Sequence, residues 1–216
     1  MGAIDLAAKN FFKDPANFAD LFNYKLFKGK QIIRPGDLKE HDSTEIAVPY
    51  GLDAAAPVQR IRDNSMFWNW GSMSDDKALY VVLGIESQAK IHYAMPVRDM
   101  LLDAMNYAGQ VRKSLDSYRK HGSRTAAPAL TSAEYLSGFR RTDRIMPVVT
   151  VVLYLSAKRW DGPLSIHDMM GIRDRSVLDL VPDYTINLLQ PADLGEEDFT
   201  RFHTELGQVL EYIRYS

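Results

Sequence analysis

Residues 63–88 read DNSMFWNWGSMSDDKALYVVLGIESQ, and the way they pair decides the fold. The run LYVVLGIES (79–87) is apolar and β-branched, the composition of a strand. Before it, Gln59–Trp70 is compact and aromatic, and GSMSDDK (71–77) is rich in turn formers. A hairpin centred on Ser74 and Asp75 places Asp63 opposite Glu86. Opposed residues project on one face, with Cβ atoms about 4.5–5.5 Å apart. Side chains alternate along a strand, so Gln88 joins Glu86, while Leu79, Val81, Leu83 and Ile85 point into a core.

Two carboxylates at that spacing repel and raise each other's pKa unless a cation sits between them. A hard divalent ion such as Mg²⁺ takes oxygen ligands and keeps several waters, which can act as nucleophile or proton carrier. Asp63 and Glu86 are therefore candidate metal ligands, and Gln88 is a candidate to orient a water or a phosphate oxygen. Gln88 cannot supply positive charge. An irregular loop would shift the register by a residue or two, so spacing alone leaves open a hairpin whose acids share no ligand.

Outward from the hairpin, Asp14-Pro15 is a helix start, and Phe18, Leu21, Phe22 and Leu26 follow at helical steps, predicting a helix over 15–28. Pro96 opens a long helix on which Val97, Leu101, Ala104, Ala108, Val111 and Leu115 form one expected buried stripe. RKHGSRTAAP (119–128) is a basic loop, and PVVTVVLYL (147–155) reads as a strand covered on both faces. Trp160-Asp161-Gly162-Pro163 turns the chain. Short helices are expected over 164–170 and 175–181, an added strand over 185–189, and a final helix from Gly195 along Phe199, Phe202, Leu206, Val209 and Ile213. Strands alternating with helices predict an α/β layered domain.

At 216 residues the chain can bury roughly 70% of its unfolded surface and needs no covalent staple. It has no cysteine, which excludes cysteine nucleophiles, cysteine-ligated zinc, iron–sulfur clusters and thiol redox chemistry. Lys and Arg number 26 against 28 Asp and Glu, a net charge of −2, which argues against a bulk-charge nucleic-acid coat. The charge is uneven: residues 1–150 carry 20 basic and 17 acidic side chains, residues 151–216 carry 6 and 11. A polyanion would meet the first part more favourably. Asp5 stands where a signal peptide needs basic residues, and the longest apolar run, around 147–155, is too short to span a bilayer as a helix. A cytoplasmic protein with no membrane partner is expected. There is no Gly-rich phosphate loop and no Gly-x-Ser-x-Gly elbow, so no nucleotide cofactor and no serine hydrolase chemistry is expected.

Several stretches carry a resemblance: FADLFNYKLFKGKQ (18–31), RIRD (60–63), YVVLGIESQ (80–88), MPVRDMLLDAMNY (95–107), IMPVVTVVLYLS (145–156), the Trp160–Pro163 turn and VPDYTINLLQPADL (181–194). In that order, over about 18–216, the chain resembles the PD-(D/E)xK nuclease superfamily, and within it the recombination-promoting nuclease (Rpn) and transposase-like branch. The resemblance implies a restriction-endonuclease-like three-layer core, a mixed sheet flanked by helices, in a single domain over 1–216. The core would span about 15–155, with a helical C-terminal extension over about 156–216. It further implies a Mg²⁺-dependent DNA endonuclease of low sequence preference, linked to recombination, transposition or defence against mobile DNA, with Mn²⁺ as a substitute ion. Asp63 and Glu86 would ligate the metal, Gln88 would stand where most of the superfamily carries lysine, and two copies would cut the two strands. A module that keeps this fold and binds nucleic acid or a protein without cleavage is the alternative.

Other residues invite chemistry less strongly. Asp20 points away from the Phe18/Phe22 stripe and reads as a solvated helix carboxylate, outside the site. Arg98, Arg112, Lys113, Arg119, Lys120, Arg124, Arg140, Arg141 and Arg144 form either a phosphate-contacting rim or an ordinary solvated helix end and loop. His92 reads as a polar strand-end residue, Glu40-His41-Asp42 with Glu45 as a solvated loop, and Trp68, Trp70 and Tyr80 as cross-strand packing partners.

Overall fold

A computed structural model describes residues 3–41, 44–47, 58–72, 78–121 and 130–216. The turn at Ser74 and Asp75, Asp42, and Arg124 in the basic loop lie outside the described residues, as do the side chains of Glu45, Leu79, Arg119 and Lys120. In chain order the elements are helices α1 (Ala3–Phe11) and α2 (Pro15–Phe27), strands β1 (Leu38–Glu40), β2 (Thr44–Ala47), β3 (Val58–Ile61), β4 (Asn64–Ser72) and β5 (Ala78–Gln88), and helices α3 (Met95–His121) and α4 (Ser132–Ser137). Then come β6 (Val148–Tyr154), α5 (Arg175–Leu178), β7 (Asn187–Leu189), α6 (Glu196–Phe199) and α7 (Leu206–Tyr215).

The hairpin takes the expected register. Asn64 lies opposite Ile85, Met66 opposite Leu83 and Asn69 opposite Tyr80, so Asp63 follows opposite Glu86. A bulge between Asn69 and Gly71 shifts the pairing by one, but only towards the turn. Five strands form one sheet in the order β1-β4-β5-β6-β7, antiparallel from β1 to β5 and parallel from β5 to β7. β2 and β3 pair separately. β6 is buried from Thr150 to Tyr154, as expected of a continuous apolar run with neighbours on both sides and layers on both faces. The strand expected over 185–189 is β7.

On one sheet face, Val81, Leu83, Ile85, Val151 and Leu153 pack against Phe18, Leu21 and Phe22 of α2 and against Phe199, Phe202, Leu206 and Leu210. Burying each large apolar side chain contributes about 1.5–3 kcal/mol. The other face meets α3. The result is an α/β domain, a five-stranded mixed sheet flanked by helices. Its core reaches past the 15–155 span at both ends, through Phe12 and through Phe202, Leu206 and Leu210. Among the described residues no helix is long and apolar enough to cross a membrane.

Several expectations fail, three of them for a clear physical reason. First, α3 does not bury the stripe headed by Val97 and Leu101, which are 43% and 38% exposed. It buries Met95, Asp99, Leu102, Asp103, Met105 and Asn106 instead. Asp103 finds an arginine, a threonine and a tyrosine on the sheet side, and these hydrogen bonds turn the acidic face inward. Second, Asp20 is not solvated. Its carboxylate accepts hydrogen bonds from the His203 and Thr204 N–H groups at 2.9 Å and from Thr204 Oγ1 at 2.8 Å. Third, and for that reason, the final helix is two helices, α6 and α7, broken where Asp20 takes the free backbone donors. The helices expected over 164–170 and 175–181 shrink to a 3-10 turn at His167–Met169 and the single turn of α5. A further helix, α1, lies ahead of the Asp14-Pro15 start, where none is expected.

Asp20→Ala should therefore cost about 2 kcal/mol, through a lost cap and orphaned backbone donors. In a domain of this size the thermal midpoint should fall by about 4–8 °C, which a circular dichroism melt would read; an unchanged melt would contradict the capping role.

Candidate functional site

Asp63 lies just before β4, at the open end of the hairpin. Its Oδ2 accepts the Ser87 N–H at 2.9 Å, and its own N–H donates to Glu86 Oε1 at 3.3 Å. The two acids meet as their spacing predicts. Glu86 is fully buried, and its Oε2 accepts from Arg98 Nη2 at 2.8 Å across the sheet–helix interface. Gln88 is half-buried, in register with Tyr154, with its carbonyl accepting the Leu155 N–H at 2.9 Å. Strand alternation keeps it on the face of Glu86.

Beneath this pair sits Arg62, fully buried. Its Nη2 pairs with Asp103 Oδ1 at 2.9 Å, and Nη1 donates to Thr150 Oγ1. Asp103 also accepts from Thr150 Oγ1 at 2.7 Å and from the Tyr184 hydroxyl at 2.6 Å. Gly84 makes room for the guanidinium: a Cβ there would stand 2.6 Å from Nη1 and 2.7 Å from Cδ of Arg62.

Four carboxyls, Asp63, Glu86, Asp99 and Asp103, face two guanidiniums, Arg62 and Arg98. Burial raises Glu86 to about 7, with the Asp63 charge adding to the shift and Arg98 opposing it. Asp63 is raised by burial, against the pull of the Ser87 N–H and of Arg98. Asp99 is pushed to about 8 by burial and then by Glu86, and neither of its oxygens has a hydrogen-bond partner among the described residues. Burial, only partly offset by the two guanidiniums, favours the protonated forms of Glu86 and Asp99. A divalent, oxygen-binding cation fits the excess of carboxyls, and two carboxylates suffice for an ion that keeps its waters. Among the described residues no group of three or more His, Asp or Glu side chains is arranged to hold a metal.

Several of the basic residues read either as a phosphate rim or as solvated surface are engaged within the protein. Arg98 pairs with Glu86, Arg112 with Asp116 at 3.3 Å, Arg140 stacks on Tyr118, and Arg144 donates to the carbonyls of Arg141 and Asp143. His92 is exposed, as a strand-end residue would be. Trp68 is buried and edge-on to Phe27 and Trp70, a packing role; Trp70 itself is 57% exposed. Sequence reasoning missed Asp99 and Asp103, four apart on one helix face, and missed two residues of α1. Asp5 accepts the Ala89 N–H at 3.2 Å, and the Lys9 carbonyl accepts from Asn64 Nδ2 at 3.1 Å, so α1 docks across the end of the hairpin. The i,i+4 acid pair was the signal that could have found the first two.

Because the folded pKa values of Glu86 and Asp99 lie above their ordinary values, the folded state holds extra protons between the ordinary carboxylate range and about 7–8. Stability from these groups is present at the acid end of that window and lost as pH rises through it. Asp99→Asn should match wild type in urea midpoint at about pH 4 and exceed it at about pH 9 without divalent ions; a gap independent of pH would refute the buried proton. Gly84→Ala should cost about 3 kcal/mol in the same measurement by displacing Arg62 from Asp103. No family model, curated protein or solved structure matches this chain.

Proposed function

We propose that the chain is a metal-dependent endodeoxyribonuclease of the PD-(D/E)xK type, hydrolysing phosphodiester bonds with low sequence preference. The observation that carries this reading is the meeting of Asp63 and Glu86 at the hairpin end, in a cluster with more carboxyl than guanidinium groups. The layering, with α2 and α7 on one sheet face and α3 on the other, supports a restriction-endonuclease-like core.

Asp63 and Glu86 would hold Mg²⁺, or Mn²⁺ in its place. When bound, such an ion polarises the scissile phosphate and lowers the pKa of the attacking water. Gln88, on the face of Glu86, orients that water through its amide. Arg98 keeps Glu86 towards its ionised form, the form a ligand needs. Arg62 and Asp103 hold the sheet and α3 at a fixed distance, which positions Arg98. DNA is the partner this reading requires, with a homodimer serving double-strand cleavage in recombination, transposition or mobile-DNA defence.

One contact favours the second reading, a nuclease-fold module without activity: Arg98 already neutralises Glu86 at 2.8 Å. Incubation with supercoiled plasmid separates the two. Wild type should nick it with Mg²⁺ and stop with EDTA, while Asp63→Asn and Glu86→Gln lose more than about 100-fold, beyond the range seen for outer-shell partners of metal ligands. Equal nicking by these variants would remove both acids from the mechanism. DNA binding with no metal-dependent nicking would establish the inactive module.

A further inference from the structure

A cavity of about 370 Å³ opens against Asp63, within the roughly 300–1,000 Å³ common for small-ligand sites. Its walls include Lys9 of α1, Lys13 just beyond that helix, and His41 and Ser65. Asn64 Nδ2 donates to the Lys9 carbonyl at 3.1 Å, which ties the last turn of α1 to the residue next to Asp63. The Lys9 charge reaches Asp63 and favours its ionised form. Among the described residues neither Lys9 nor Lys13 has a carboxylate within ion-pairing distance. His41 Nδ1 and Ser65 Oγ lie 3.0 Å apart, and the His41 ring is edge-on to Phe67, so that wall is held from behind.

One side of this cavity thus carries Asp63 of the carboxyl pair, and another is lined by two lysines that form no ion pair among the described residues. An ammonium is a compact point charge suited to phosphate oxygens. Glu40 also lines the cavity, so the positive charge is local to the α1 side.

We infer that this cavity is a phosphate pocket, in which Lys9 and Lys13 bind a backbone phosphate of DNA and supply the positive charge that Gln88 lacks. The identity of the ligand rests on the nuclease reading; the pocket is tested apart from it. Anisotropy of a short fluorescein-labelled DNA duplex is measured on the full chain in Ca²⁺ over a salt series. Each phosphate contact contributes about 0.9 to the slope of log K against log salt. Lys9→Gln with Lys13→Gln should weaken binding and reduce that slope by about 1.8. Lys9→Arg should keep it. Lys30→Gln, beyond the far end of α2 and about 20 Å from its start at the cavity, should leave slope and affinity unchanged.

Plasmid nicking with Mg²⁺ is run beside it on the same variants. If the double lysine variant binds with the wild-type slope, the pocket is wrong, whether or not wild type nicks DNA. A reduced slope in a protein that never nicks leaves the pocket standing and fells the nuclease reading. Wild type without measurable affinity for the duplex overturns the pocket outright.

Discussion

The structure depends on one buried cation. Arg62 sits with no solvent exposure between the sheet and α3, and its partners come from three separate parts of the chain: Asp103 on α3, Thr150 on β6 and, through Asp103, Tyr184 ahead of β7. A buried ion pair gains little net stability over a packed apolar pair, but removing one partner is severe because the other is left charged in a poor solvent. Arg62 therefore acts less as a source of stability than as a constraint. It sets which face of α3 turns inward, and with it the placement of Arg98 and Asp99 beside Glu86.

That constraint explains what could be read from the sequence and what could not. The hairpin was legible because its register follows from turn position and alternation, both local; Asn64 opposite Ile85 is the pairing that spacing dictates. β6 was legible because VVTVVLY is a short, nearly continuous β-branched apolar run, the composition of a strand covered on both faces. The rotation of α3 was not legible. Val97, Leu101 and Ala104 make a convincing apolar stripe, and nothing near Asp99 and Asp103 in sequence announces an arginine 41 residues away from Asp103. Asp20 failed in the same way, since the donors that bury it lie 183 and 184 residues downstream. Carboxylates are read as solvated until their partners are known, and here the partners are distant.

The site is a balance of charge rather than a set of isolated roles. Asp103 is satisfied by Arg62, and Glu86 by Arg98. Asp63 leans on the Ser87 N–H, while Asp99 is left with no hydrogen-bond partner among the described residues. An enclosed carboxyl without a partner costs stability unless it keeps its proton or gains a cation. The same few ångströms of structure thus set the protonation of both acids together, and Lys9 on α1 enters that balance from the rim through its effect on Asp63.

The contact between Asp20 and the break after α6 also bears on how the nascent chain matures. Phe18, Leu21 and Phe22 share their core with Phe202, Leu206 and Leu210, so α2 cannot complete its burial until residues past 206 leave the ribosome. At synthesis rates of about 5–20 residues per second, that interval is roughly 10–40 s. Throughout it, an amphipathic helix made early must wait, with its aromatic side chains open to other chains and to chaperones. Slowing translation late in the message should thus harm yield more than slowing it early, even though the residues at risk are among the first made.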